Sequence, residues 1–419
     1  MKKAIVLLLA LALIGGAVFA QEATISGYGQ VKWGYDLNND NSGFTNTSEL
    51  NVELPLNTNT TAASTGEGNY GTASVADVSI KIIYDAVVAD GTAQAPALYA
   101  AEPTITAKIV TGALATTIYT KASLKQNQAN HFGPWKDDDA DYADDPAYNA
   151  LAYNPARAGG IASTYTLGDL GSVTFKLASI GGAPTWTVPG TSNKYLYGAG
   201  FTLTPAELIT VTASGAYDSS TKDMGAAAKV SLALAEGISA FVASDFSIPD
   251  VGDMSMEFAA NVAATFGMTS VGVDGYFLDN GTTQTLDAKF MVSDKGTVPG
   301  LTASLGVFGM DLLADPAKDP IWFGLGNALT YKVVLSDTMY ITPYQKAIYD
   351  FAKTATGLRE PLYLSVGTTM NLIANTLFTI DYTMGAYLNK AFPGGTFTKT
   401  YAGVDADKGR ITVTAKVSF

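Results

Sequence analysis

The stretch Arg410-Ile411-Thr412-Val413-Thr414-Ala415-Lys416-Val417-Ser418-Phe419 decides the fold. Ile411, Val413, Ala415, Val417 and Phe419 share one parity, and Thr412, Thr414, Lys416 and Ser418 share the other. Period two is the pleat of a β-strand. One face is apolar and the other carries hydroxyls and an amine, so the strand needs a dry medium on one side and a wet one on the other. The wall of a membrane β-barrel supplies both; the edge strand of a soluble sandwich is the alternative that the rest of the chain has to decide against.

At the other end, Lys2 and Lys3 precede an apolar run from Ala4 to Ile14, then Gly15, Gly16 and Ala17-Val18-Phe19-Ala20. This reads as a secretory signal peptide over residues 1–20, cleaved before Gln21. The run is too short to span a bilayer, and with no cysteine in the chain a lipid-anchored mature end is excluded. No other stretch approaches the length of a transmembrane helix, so residence in a membrane requires strands. Residues 21–419 are then expected to form one β-barrel domain.

The composition narrows the function classes. The chain has no cysteine and a single histidine, His131, which excludes disulfide and thiolate sites and makes a histidine metal centre implausible; no cofactor is expected. The formal net charge of −13 argues against a nucleic-acid partner. Charged residues are 15% of the chain, below the usual share of about a quarter, as fits strands that show lipid an apolar face without any long hydrophobic run.

Alternation recurs along the chain. From Thr24 to Tyr35 one face is Ile25, Gly27, Gly29, Val31, Trp33 and Tyr35, the other Thr24, Ser26, Tyr28, Gln30 and Lys32. An irregular polar loop is expected from there to about Thr47, followed by a short strand at Leu50, Val52 and Leu54 and a Thr/Asn/Ser/Gly stretch to Gly71. Ala76 to Tyr84 and the hairpin around Thr111-Gly112 alternate clearly. The longest non-periodic segment, about 122–160, holds His131, Trp135 and the acids Asp137, Asp138, Asp139, Asp141, Asp144 and Asp145. A loop of this length in a compact protein is usually functional or disordered. The acidic run offers oxygen ligands but lacks the spacing and glycine of an EF-hand calcium loop, so a solvated acidic loop is the better reading.

Beyond Gly160 tight turns at Gly168–Gly171, Thr204-Pro205-Ala206, Ala235-Glu236-Gly237, Gly267-Met268, Lys295-Gly296, Ser336-Asp337 and Ala374-Asn375 interleave with longer polar connections. Short turns on one side and long loops on the other are the pattern of outer-membrane barrels, and the spacing predicts roughly 18–20 strands. Within the strands, Lys32, Lys81, Lys108, Lys176, Lys229, Lys289, Lys332 and Lys416, with Glu257, Asp274, Asp287 and Asp381, each lie between apolar neighbours and so face the opposite way, toward a lumen. Trp33, Tyr35, Tyr84, Tyr217, Phe277 and Tyr387 fall near strand ends, where aromatic girdles sit.

The closing strand, the Gly27-Tyr28-Gly29-Gln30-Val31 stretch after the signal and the Gly168–Gly171 hairpin resemble bacterial outer-membrane porins. The resemblance implies a transmembrane antiparallel β-barrel in the outer membrane, with water-filled passage for small hydrophilic solutes and ions. It implies that Ile411, Val413, Ala415, Val417 and Phe419 are read by the barrel assembly machinery, although the family often has an aromatic where Val417 stands. It also implies outer-membrane lipid around the barrel, a homo-oligomer such as a trimer, and a third outer loop that narrows the pore; here that loop is the acidic one, by position only. An adhesin or structural surface barrel and a substrate-selective channel are the alternatives. An enzyme is not expected, since the lone His131 lies in a loop and no Gly-X-Ser-X-Gly elbow occurs.

Overall fold

The structure is a computed structural model and describes residues 24–37, 40–54, 72–89, 92–93, 97–100, 104–122, 124–130, 155, 158–180, 194–313, 321–354, 357–359, 362–384, 391–392, 395–396 and 408–419. Its architecture follows from the alternation. A strand with one apolar and one polar face buries neither alone, and its backbone N–H and C=O groups need a neighbour on both edges. Each strand therefore pairs antiparallel with the next in sequence.

β1 (Thr24–Asp36) pairs with β2 (Asn41–Leu54), which pairs with β3 (Thr72–Ala89), then β4 (Thr104–Thr111), β5 (Leu114–Ala122), β6 (Ala158–Thr166) and β7 (Gly171–Ile180). The order continues through β8 (Lys194–Ala206), β9 (Ile209–Asp218), β10 (Met224–Ala235), β11 (Ile238–Ile248), β12 (Ser255–Phe266) and β13 (Thr269–Asp279). It is completed by β14 (Gln284–Asp294), β15 (Leu301–Met310), β16 (Ile321–Tyr331), β17 (Tyr340–Thr354), β18 (Leu362–Ile373), β19 (Thr376–Met384) and β20 (Arg410–Ser418). β20 then pairs antiparallel with β1, from Tyr28↔Ser418 to Asp36↔Arg410. The sheet closes on itself, so neither edge is left open. An even number of strands is what antiparallel closure demands, and the ring sits at the upper end of the expected range. No helix among the described residues is long and apolar enough to cross a membrane.

The seam is completed beyond β20 by Phe419, whose N–H donates to the Gly27 carbonyl at 3.0 Å and whose carbonyl accepts from Gly27 N–H at 3.0 Å. Deleting Phe419 removes both bonds, about 1–3 kcal/mol together, and is expected to slow closure of the ring. Gel-shift refolding assays, in which folded and heat-unfolded barrels migrate differently, should show a smaller folded fraction at equal time; wild-type kinetics would count against the seam's importance.

Two sequence expectations are corrected. Residues up to Thr47 are not loop: β2 starts at Asn41 and pairs with β1 residue by residue, Asp36↔Asn41 through Thr24↔Glu53. The loop between them spans only 37–40. The turn after β8 also falls later than Thr204-Pro205-Ala206, because the strand runs on to Ala206 across a register shift between Leu203 and Ala206. The 55–71 stretch and the signal segment lie outside the described residues.

The two faces separate as the period requires. Outward rows include Val230, Val242, Val262, Val273, Phe290, Leu305 and Leu325, all exposed, while their inward neighbours include Ser231, Ala243, Asn261, Asp274, Lys289, Ser304 and Gly324. Outward aromatics lie toward both rims, with Tyr165, Phe266 and Tyr331 at the short-turn ends; toward the long-loop ends Trp33 stacks on Tyr35 with centroids 6.2 Å apart, and Tyr197 on Tyr217 at 6.4 Å. Phe277 joins Phe258 and Phe246 in the same band. At the opposite rim several connections are only two residues long, those after β4, β8, β10, β12 and β18, while 55–71 separate β2 from β3. Asn375 holds φ 60 in the two-residue turn between β18 and β19, a left-handed conformation that asparagine tolerates better than most residues.

Candidate functional site: the lumen and the loop that enters it

The inward register assembles a wall of hydroxyls, carboxylates and amines, and one connection folds onto it. After β5 the chain does not leave the barrel mouth directly. Residues 124–130 run along the inner faces of β7 to β13, held by specific contacts. Leu124 is buried with Ala178, Leu196 and Ala216, and Tyr119 packs against that group. A side chain in place of Gly198 would meet Leu124 Cδ2 at 3.0 Å, so glycine there leaves room for the leucine. Gln126 is buried; its Nε2 donates to the Leu124 carbonyl at 2.8 Å and its Oε1 accepts from Ser214 Oγ at 2.5 Å.

The strongest anchor is Asp245, inward on β11 and fully buried. Its Oδ1 accepts from Gln128 N–H at 2.8 Å, and its Oδ2 accepts from Gln128 N–H at 2.9 Å and Ala129 N–H at 2.9 Å. Bonds from backbone N–H to a carboxylate are charge-assisted and among the stronger neutral-to-ion contacts in proteins. Ala129 settles among Ala243, Ala259, Tyr276 and Leu278, with Phe241 at the edge. The wall under the loop combines small inward residues on successive strands (Ala178, Gly198, Ala216, Ala243 and Ala259) with the larger apolar Leu196, Tyr276 and Leu278.

This segment opens the connection between β5 and β6, the third on the long-loop side in chain order. The acids Asp137, Asp138, Asp139, Asp141, Asp144 and Asp145 follow it and lie outside the described residues, as do His131 and Trp135. Sequence reasoning singled out the acids and missed the anchor. The available signal was the inward series Ala178, Gly198, Ala216, Ala227, Ala243 and Ala259, small residues on neighbouring strands.

The wall candidates other than Lys332 share the inward register, with these surroundings. Lys32 stands opposite Thr45 and Thr414, and Lys108 opposite Ser74 and Thr117. Lys81 takes the inward register opposite Asn51, and its side chain is outside the described residues. Lys176 points into the lumen, opposite Ala162 and Gly198. Lys229 Nζ lies 4.2 Å from the centroid of the Phe241 ring, and Lys416 Nζ 4.0 Å from that of inward Tyr28. Both rings stabilise the ammonium by cation–π attraction. Lys289 is nearly buried and forms an ion pair with Asp274 at 3.6 Å; Asp274 also accepts from Asn261 Nδ2 at 2.7 Å. Glu257 is buried on β12, and Asp287 Oδ1 accepts from Asp311 N–H at 2.7 Å, tying the connection after β15 to the wall. Asp381 accepts from Tyr344 Oη at 2.8 Å and Ser365 Oγ at 3.1 Å. Lys332 is placed differently from the others. It lies just past β16, at the short-turn rim, where the ladder to β17 is interrupted between Thr330↔Tyr344 and Val333↔Ile341, and its Nζ sits 4.4 Å from the Tyr340 centroid.

Beside the loop a recess of about 200 Å³ is lined by Lys125, Gln126, Lys176 and the hydroxyls of Thr174, Thr202 and Ser214. No group of histidines and acids able to hold a metal occurs among the described residues.

No protein-family model matches the chain. Over 98 residues it is 37% identical to the major outer membrane protein MspA of Treponema maltophilum; the match takes in 22% of this chain and 17% of that protein. Solved structures of similar course include the Pseudomonas aeruginosa outer membrane protein OpdK, with TM-score 0.49, 9% identity and coverage of 96% of this chain and 100% of that one. Pseudomonas aeruginosa OccK3 (OpdO) is similar at TM-score 0.48 and 10% identity, with 95% of each chain covered. Acinetobacter baumannii OccAB4 has TM-score 0.47 and 8% identity, over 94% of this chain and 98% of that one.

Proposed function

We propose that this chain is an outer-membrane channel through which small hydrophilic solutes and ions diffuse passively along a water-filled lumen. The observation that carries the reading is the closed twenty-strand ring with charged and hydroxyl side chains inside and apolar ones outside. Barrels of about eight strands are filled by their own side chains, whereas those of about 16–18 leave an aqueous passage; a larger ring needs something else to narrow it. Residues 124–130, pinned to the inner wall, do so here. The acids that follow them then set the entrance field, and the wall lysines and carboxylates tune it. The similarity to part of a Treponema major outer membrane protein supports the compartment.

The test is a planar bilayer with refolded protein under a potassium chloride gradient. Stepwise conductance is expected. A heat-modifiable, folded barrel that stays electrically silent would sink the channel reading and favour a surface adhesin.

The recess at Lys125 and Lys176 favours a second, narrower reading, a channel with preference among solutes. Lys176→Glu reverses one charge in that recess and is expected to move the reversal potential toward cation selectivity; an unchanged potential would remove Lys176 from the ion path. In this reading the last strand, from Ile411 to Phe419, is the segment engaged during assembly, and copies of the barrel associate in the membrane.

A further inference from the structure

The outer face of β16 to β18 contains a pair of carboxamides that does not suit lipid. Along β16 the outward positions are Phe323, Leu325, Asn327, Leu329 and Tyr331, and along β17 they include Pro343, Gln345 and Ala347. The parity is fixed by the exposed neighbours: Asn327 shares the row of Leu325 and Leu329, and Gln345 stands opposite exposed Leu329 on one side and exposed Val366 on the other. Gln345 Nε2 donates to Asn327 Oδ1 at 2.9 Å. Asn327 is four residues from Tyr331 at the rim, about 13 Å along the strand, and therefore within the apolar band rather than at its border.

A carboxamide offers two N–H donors and an oxygen with two lone pairs. The mutual bond uses one donor and one acceptor, leaving three N–H groups and the Gln345 oxygen with no partner among the described residues. Acyl chains provide none, and water is absent at this depth. The hydroxyl pair Thr116 and Ser163, also outward, differs in kind, because a hydroxyl has a single donor and that pair already shares a bond. Among the described outward side chains between the strand ends, Asn327 and Gln345 are the only carboxamides; Asn46 on β2 shares the outward register, and its side chain is outside the described residues.

We propose that the outer face of β16 to β18 is the interface with a second copy of this chain, with Asn327 and Gln345 bonding across it. The occupant follows from depth and chemistry. Only protein supplies hydrogen-bonding groups in the hydrocarbon layer, and an amide patch is complementary to itself, since it both donates and accepts. Copies inserted with the same orientation are related by an axis along the membrane normal, which brings the same patch together at the same depth. Leu305, Ala347 and Val366 around the amides supply an apolar surround. The proposal rests on the barrel being membrane-embedded and does not depend on whether its lumen conducts.

The absence of cysteine makes the test direct. In the full mature protein reconstituted in bilayers, the single substitutions Asn327→Cys and Gln345→Cys are treated with a short bifunctional maleimide, alongside Phe175→Cys on the outward face of β7, across the ring. The expected result is a cross-linked band from the first two and only background from the third. A second variant, Asn327→Leu with Gln345→Leu, is expected to fold, judged by heat-modifiability, and to lose the slow-migrating assembly on semi-native gels. Cross-linking equal at all three sites, no cross-linking at any, or an assembly undiminished in the double-leucine variant would each overturn the interface. Recordings from the same preparation keep the two readings apart: cross-linking without conductance would retain the interface and reject the channel.

Discussion

Asp245→Ala is expected to enlarge the single-channel conductance and to add slow current fluctuations absent from the wild type. The carboxylate accepts from both Gln128 and Ala129 N–H. Removing it leaves two buried backbone donors unsatisfied unless the loop moves to water. A hydrogen bond to a charged group contributes about 1.5–3 kcal/mol, so a bias of about 3 kcal/mol toward release is the expected scale. The opposing contacts are the Gln126–Ser214 bond and the packing of Leu124 and Ala129. Release of the segment from β11 widens the lumen on that side. Asp245→Asn separates charge from shape: one carboxylate oxygen becomes an NH₂ that faces N–H donors, so an intermediate effect is expected. Adding Gln126→Ala to Asp245→Ala should increase the fluctuations further, because the two anchors hold the same segment. If both Asp245 variants gave wild-type current, with folding verified by heat-modifiability, the loop would not be what limits the passage.

The parts of the fold that were legible in the sequence are those where a residue's neighbours in the chain report its environment. Val230 and Ser231, or Leu305 and Ser304, declare lipid and lumen side by side, and the strands through β20 follow from that. β2 shows where the rule loses its signal. In its first half the positions in the outward register are Ser42, Phe44, Asn46 and Ser48, so there is no apolar parity to read before Leu50, yet β1 supplies a continuous ladder that satisfies its backbone. Local pattern marks a loop there, and the partner strand makes it sheet. Lys332 fails for the opposite reason. Its apolar neighbours Tyr331 and Val333 mimic strand alternation across a point where the ladder is broken. The site was less legible than the fold. Parity put the lysines and acids on one face, but the seat of the inward loop combines Ala178, Gly198, Ala216, Ala243 and Ala259 with Leu196, Tyr276 and Leu278, residues whose role appears only when Leu124 and Ala129 lie on them. Asp245, flanked by Ser244 and Phe246, carries no sign in sequence that its partners are more than a hundred positions earlier in the chain.

The register itself is tested by placing one charge on either side of the wall at the same depth. Val230 on β10 is outward and exposed, and its neighbour Ser231 is inward. Val230→Lys puts an ammonium against acyl chains, at an expected cost of about 2–4 kcal/mol near mid-depth, less to the extent that the side chain can reach the interface. Equilibrium unfolding in urea from lipid vesicles should show that loss, with a smaller folded fraction on gels. Ser231→Lys places the same group in water beside the Lys229 row, where desolvation is slight. Its stability is expected to stay within about 0.5 kcal/mol of wild type, the usual range for a substitution on a wetted surface. Its reversal potential should shift toward anions, since an added positive charge on the wall attracts them and repels cations. The two substitutions are adjacent in sequence and alike in chemistry, so general effects of lysine on strand propensity or on assembly act on both. Only the parity of the pleat separates them. Destabilisation by Ser231→Lys alone, or a change of selectivity from Val230→Lys alone, would mean that the inner and outer faces of β10 had been exchanged, and the lumen assignment of every residue in register with it would fall as well.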